Sequence, residues 1–114
     1  MTNTEKIVET ISKSVLAALK SEDEDRMYLA KNLIQRAYSY TEYRLRWTYL
    51  SVKEKKDEDP GRTMSHNAFI DALNMFLRYE KKLGNDVPSL DEYDRKELGD
   101  IGNLLIAQIA ISQR

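Results

Sequence analysis

The stretch SEDEDRMYLAKNLIQRAYSYTEYRLRWTYLSVKEKK, residues 21–56, decides the fold of this chain. It contains no glycine and no proline, and its apolar residues recur at spacings of three and four. That is the period of a helix, not of a strand. Ser21 with Glu24 has the form of a capping box, a helix start. The next strong break is DEDPGRT at 57–63. The pattern therefore predicts one helix over 22–56, well beyond the roughly 8–20 residues of an ordinary helix.

At about 100° per residue such a helix carries two apolar stripes. One holds Met27, Ala30, Ile34, Ala37, Thr41, Leu45, Thr48 and Val52, with Tyr38 and Tyr49 on its border. It reads as core. On nearly the opposite side lie Leu29, Leu33, Arg36, Tyr40, Tyr43, Trp47 and Leu50, stepping by fours and threes like a heptad seam. The segment 37–49 alone packs five aromatic rings into a chain that is 9% aromatic. Three uses compete for this second stripe. It is covered within one chain if the helix is central to a bundle. It is a self-association surface if the helix is peripheral, since Tyr, Trp and Arg are enriched at binding hot spots. Or Arg36, Tyr40, Tyr43, Arg44 and Trp47 bind single-stranded nucleic acid by stacking and charge. Six basic residues lie between Arg36 and Lys56 in favour of that last use, but Glu42 and Glu54 interrupt them and no reader motif accompanies them.

Working outward, LGNDVPS at 83–89 supplies a further break and KSEDED at 20–25 a softer one. The remaining helices fall at 3–20, 66–83 and 90–112. Thr2 with Glu5 caps the first, Met64 and Phe69 staple the third, and Ser89 with Glu92 caps the fourth. Gly84 ends the third. Gly99 and Gly102, inside the fourth, mark either a close approach by a neighbour or a kink. The fold class expected is all-α: one domain, an antiparallel four-helix bundle with a long second helix.

If the third and fourth helices form a hairpin around 84–88, facing residue numbers sum to about 173. Glu80 would then meet Tyr93, Asp94 and Glu97, and His66 would face Gln108. Three carboxylates on an apolar face cannot all stay charged without a cation. Glu80, Asp94 and Glu97 are thus a weak metal candidate, of the kind found in helical Mg²⁺-dependent nucleotide hydrolases. The second carboxylate motif of such enzymes has no counterpart here. A hydrogen bond from Tyr93 or from an arginine of the second helix would satisfy Glu80 equally well. His66 is the only histidine and cysteine is absent, so catalytic triads and thiolate or histidine metal sites have little to draw on. No catalytic residue and no cofactor is assigned.

The formal net charge of −1 gives no overall attraction to nucleic acid or anionic membrane. No apolar run approaches the roughly 20 residues needed to cross a bilayer. The charged N-terminus does not resemble a signal peptide. These features point to a cytoplasmic protein without membrane partners. The expectation is a non-enzymatic interaction protein that joins a second copy of itself as a homodimer, or a protein partner, through the Leu29–Leu50 seam. A nucleic-acid-binding accessory role is the alternative and a metal-dependent hydrolase the third reading.

Residues 65–86 and 94–105 resemble elements of a family of small all-helical bacterial proteins, some carried on mobile elements of Gram-positive species. There a Ser-His-x-x-Phe-Ile-Asp helix precedes an Asp-Arg-Lys-x-x-Gly-Asp element. Ser65, His66, Phe69, Ile70 and Asp71 match the first, and Asp94, Arg95, Lys96, Gly99 and Asp100 the second. The resemblance covers the C-terminal half and implies a helical fold without implying an activity.

Overall fold

A computed structural model describes residues 2–113. It is an all-α four-helix bundle: α1 (Asn3–Leu19), α2 (Glu24–Trp47), α3 (Val52–Lys82) and α4 (Arg95–Ser112). No strand occurs among the described residues. One core draws on all four helices, with Ile11 and Val15 from α1, Leu33 and Tyr40 from α2, Phe69, Leu73 and Phe76 from α3, and Ile101 and Leu105 from α4.

The expected boundary between the second and third helices is wrong. The chain breaks at 48–51, not at 57–63, so the longest helix is the third. Ser51 is the cap: its Oγ accepts from Glu54 N–H, and the Glu54 carboxylate accepts from Ser51 N–H. This capping box leaves two otherwise orphaned donors satisfied. Pro60 and Gly61 lie inside α3. Proline removes one helical hydrogen bond, orphaning the carbonyl four residues back, at Lys56. Lys56 and Pro60 are both exposed, so that face of the helix is open to water. Gly61 meets Tyr43 of α2, whose hydroxyl would stand 3.0 Å from a Cβ placed there. Ser65, expected as a cap, sits mid-helix, and Met64 faces outward.

With the turn at 48–51, α2 and α3 form the principal antiparallel pair. Asp23 meets Tyr79 at one end and Arg46 meets Glu58 at the other. Asp23 rather than Ser21 caps α2, accepting from Arg26 N–H. The Tyr79 hydroxyl also donates to Asp23 at 2.7 Å. That bond holds the Asp23 carboxyl below its ordinary range and pushes the Tyr79 hydroxyl up to about 12.

The expected hairpin of the third and fourth helices does not form. Gly84, at φ 87°, ends α3 in the left-handed conformation that glycine adopts without penalty. Asn85 N–H then bonds Glu80 O, and Gly84 N–H bonds Lys81 O. The following linker folds back along α3, with Val87, Pro88 and Leu90 beside Asn74, Leu77 and Arg78. Helix α4 starts later than Ser89 predicts, capped reciprocally by Asp94 and Glu97. Its first residue, Arg95, lies beside His66 instead of near residue 78. From there α4 packs on α1 and α2 and touches α3 only slightly, while α1 and α3 scarcely meet.

Gly99 and Gly102 mark close approach, the first of the two alternatives. A Cβ on Gly102 would fall 2.9 Å from two ring carbons of Phe69, and one on Gly99 would fall 2.5 Å from the Tyr40 hydroxyl. Both rings are buried, so neither can swing aside.

Candidate functional site

Both stripes of α2 contribute to the core, the first through Ala30 and Ala37 and the second through Leu33 and Tyr40. Leu33 and Tyr40, expected on an interface, are buried in the chain's own core, Tyr40 at 3% exposure. The Tyr40 ring meets His66 edge-on at 5.0 Å and runs nearly parallel to Phe69 at 6.0 Å. Leu29, Tyr43, Trp47 and Leu50 are half-buried, and only Arg36 is exposed. The Arg62 guanidinium of α3 lies 4.6 Å from the Trp47 ring centre, and Arg46 lies 4.8 Å from that of Tyr43. These rings are engaged by the chain's own cations. Arg36, Tyr40, Tyr43, Arg44 and Trp47 therefore form no continuous stacking surface. A side chain buried in its own chain offers nothing to a base or to a second copy.

The difference from the expected pattern lies in the C-terminal half of α2 and follows from the turn at 48–51. Once α3 doubles back on α2, it covers the Tyr40 side along α2's C-terminal half. The opposite stripe is buried only as far as Ala37. Beyond that point Tyr38 and Leu45 are outside, and Tyr49, in the turn, is 83% exposed. Tyr38 and Leu45 are seven residues apart, two turns along one face. Leu45 and Tyr49 share a shallow groove with Glu42, Tyr43 and Arg46. Large apolar side chains grouped on one face are a more specific signal than scattered exposed ones. The sequence reading missed this face because the stripe looks continuous up to Val52.

The three carboxylates of the metal candidate are apart in function and in partners. Glu80 is fully buried and gripped by Arg26 of α2: Nε–H donates to Oε2 and Nη2–H to Oε1, both at 2.8 Å. Asn85 adds a longer bond at 3.5 Å. Asp94 and Glu97 serve the N-terminus of α4. Among the described residues no group of three or more His, Cys, Asp or Glu side chains is placed to hold a metal ion. Glu80 thus takes an arginine of the second helix, one of the two partners open to it, and not Tyr93.

His66 does not face Gln108, which lies against Glu5, Val8 and Glu9 of α1. Instead its Nε2–H donates to the Arg95 carbonyl at 2.8 Å, leaving Nδ1 to accept from Arg95 Nη2 at 3.1 Å. Arg95 also donates to Asn67. This pairing fixes the neutral tautomer, because a proton on Nδ1 would turn a donor toward a guanidinium. Burial first, and then the charges of Arg95, Arg62 and Arg44, hold the imidazole below the ordinary histidine range, against the opposing pull of the Arg95 carbonyl. The sign follows directly. A depressed folded pKa means the unfolded chain takes up the proton more readily, so the stability that His66 lends is full above the ordinary histidine value and is lost as pH falls through the lower folded value. Unfolding by urea should show a stability loss between neutral and mildly acidic pH that His66→Gln reduces. An unchanged pH profile in His66→Gln would assign the loss to other groups.

The two segments quoted for the family resemblance meet here, at His66–Arg95 and again at Phe69–Gly102. The chain matches no family model, no curated protein and no solved structure. No helix among the described residues is long and apolar enough to cross a membrane.

Proposed function

We propose that the chain is a non-enzymatic interaction protein that self-associates as a dimer through α2, using the outer face of Tyr38, Leu45 and Tyr49 in place of the Leu29–Leu50 seam. The observation that carries this reading is the exposure of Leu45 and Tyr49 side by side, 66% and 83%, at the end of a stripe otherwise used for the core. Glu42 and Arg46 flank Leu45 on the same groove. Across a two-fold axis with antiparallel helices, each Glu42 would come opposite the other copy's Arg46, which would share its guanidinium between that carboxylate and Glu58 of its own chain. Tyr43 is the seam residue that also lines this groove. On the resemblance in residues 65–71 and 94–100, we infer kinship with small helical bacterial proteins.

Sedimentation equilibrium tests the reading. The unaltered chain should be dimeric, and Leu45→Glu together with Tyr49→Glu should give a monomer with unchanged helical circular dichroism. A chain that is monomeric throughout the micromolar range, or a double variant that remains dimeric, would overturn it.

A further inference from the structure

Where α2, α3 and the first turn of α4 converge there is a cavity of about 450 Å³, within the usual size range of small-molecule sites. Arg44, Arg62, Arg95 and Lys96 line it, with Tyr40 and His66. No carboxylate is among the lining residues. Two acids approach from outside: Asp100 takes Arg44 Nη2 at 2.7 Å, and Asp59 takes Arg62 Nη2 at 3.1 Å. Four cations against two carboxylates leave a surplus of two positive charges, in a chain whose formal net charge is −1. His66 adds no charge, because its Nδ1 is the acceptor of an Arg95 bond. Donors are also left over. Arg44 Nη1 and Arg62 Nε are buried with no hydrogen-bond partner among the described residues. Buried donors without acceptors are costly, and charged ones more so. Folding alone does not require like charges from three helices to converge, and it gains nothing from leaving their donors unpaired.

We propose that this pocket binds a phosphoryl group, presented as a dianion on a small phosphate ester or at the end of a nucleic-acid strand. Two negative charges match the local surplus. The oxygens of a phosphate group match guanidinium forks approaching from several sides, which the single plane of a carboxylate does not. Lys96, exposed and in no ion pair among the described residues, stands at the rim as a mobile point charge. The site shares no residue with the face proposed for self-association, and the two stand or fall separately.

The single histidine is a built-in reporter, because its imidazole C–H signals in proton NMR need no assignment. Inorganic pyrophosphate and a nucleoside monophosphate, titrated separately at low salt, should each shift those signals saturably. Each should also raise the His66 pKa, because a bound dianion offsets the field of the arginines. Lys96→Glu should weaken binding about tenfold or more, a change of about 1.4 kcal/mol or more. Lys31→Glu, an equal reversal far along α2, should leave it unchanged. A 5′-phosphorylated single strand that binds more tightly than the monophosphate, with the same loss in Lys96→Glu, would assign the phosphoryl group to nucleic acid. Equal affinities would assign it to a small molecule. Shifts that never saturate, or that respond alike to Lys96→Glu and Lys31→Glu, would overturn the proposal.

Discussion

Arg26→Met should destabilise the fold by about 3–5 kcal/mol, the range expected when one partner of a buried ion pair is removed. Glu80 has no exposure to solvent, and both of its carboxylate oxygens depend on the Arg26 fork. Asn85, at 3.5 Å, is too distant to replace it. Without Arg26 the carboxylate must either stay charged in the core or take up a proton. The double variant Arg26→Met, Glu80→Met should recover much of the loss, since apolar replacement of a whole buried pair is often neutral or better. Urea unfolding of the two variants checks this. A single variant losing less than about 1 kcal/mol would mean the pair behaves as an exposed salt bridge, and the account of Glu80 would fail.

Tyr40→Ala should cost a similar amount, about 3–5 kcal/mol as for other buried aromatics. The ring fills the space between His66, Phe69 and Gly99. Gly99 cannot move in to close the gap without shifting the whole of α4. Tyr49→Ala, on the exposed face, should stay within about 0.5 kcal/mol of the unaltered chain when both are measured as monomers. The contrast reads out which side of α2 faces inward. A larger loss at Tyr49 than at Tyr40 would restore the assignment that the sequence suggests.

Four helices are legible because helix starts carry chemistry: Thr2, the acids before Arg26 and the Gly84 stop each stand where the chain turns. The break between α2 and α3 is marked by Ser51 and Glu54, a pairing that the sequence reading passes over because Pro60-Gly61 is the stronger punctuation. A proline costs a helix about 3 kcal/mol in isolation. In this chain the α2–α3 contact, with Gly61 against Tyr43, offsets that cost, and the sequence gives no sign of such contact. The misplaced turn then misassigns the C-terminal half of both stripes, since periodicity identifies faces without saying which neighbour covers them. The α3–α4 pairing failed for a different reason. A short loop was expected to make a hairpin, yet residues 83–94 have enough reach to run back along α3. The cationic cavity was not legible at all. Arg44, Arg62 and Arg95 lie on three helices, and only the placement of α4 beside His66 brings them together.

Because α1 and α3 scarcely touch, α4 is the keystone of the bundle, and the ribosome makes it after the helices it locks together. While the chain is being synthesised, α2 and α3 can already close as a local hairpin. Tyr40 and Phe69 then have an open side until Gly99 and Gly102 arrive to cover them. Contacts between α1 and α4 span most of the chain's length, so the step that completes the core is also the one with the largest loop to close. A nascent chain halted before α4 would present those two rings to chaperones or to other unfinished copies. The glycines that let α4 seat closely are therefore also what shields the two rings once α4 arrives.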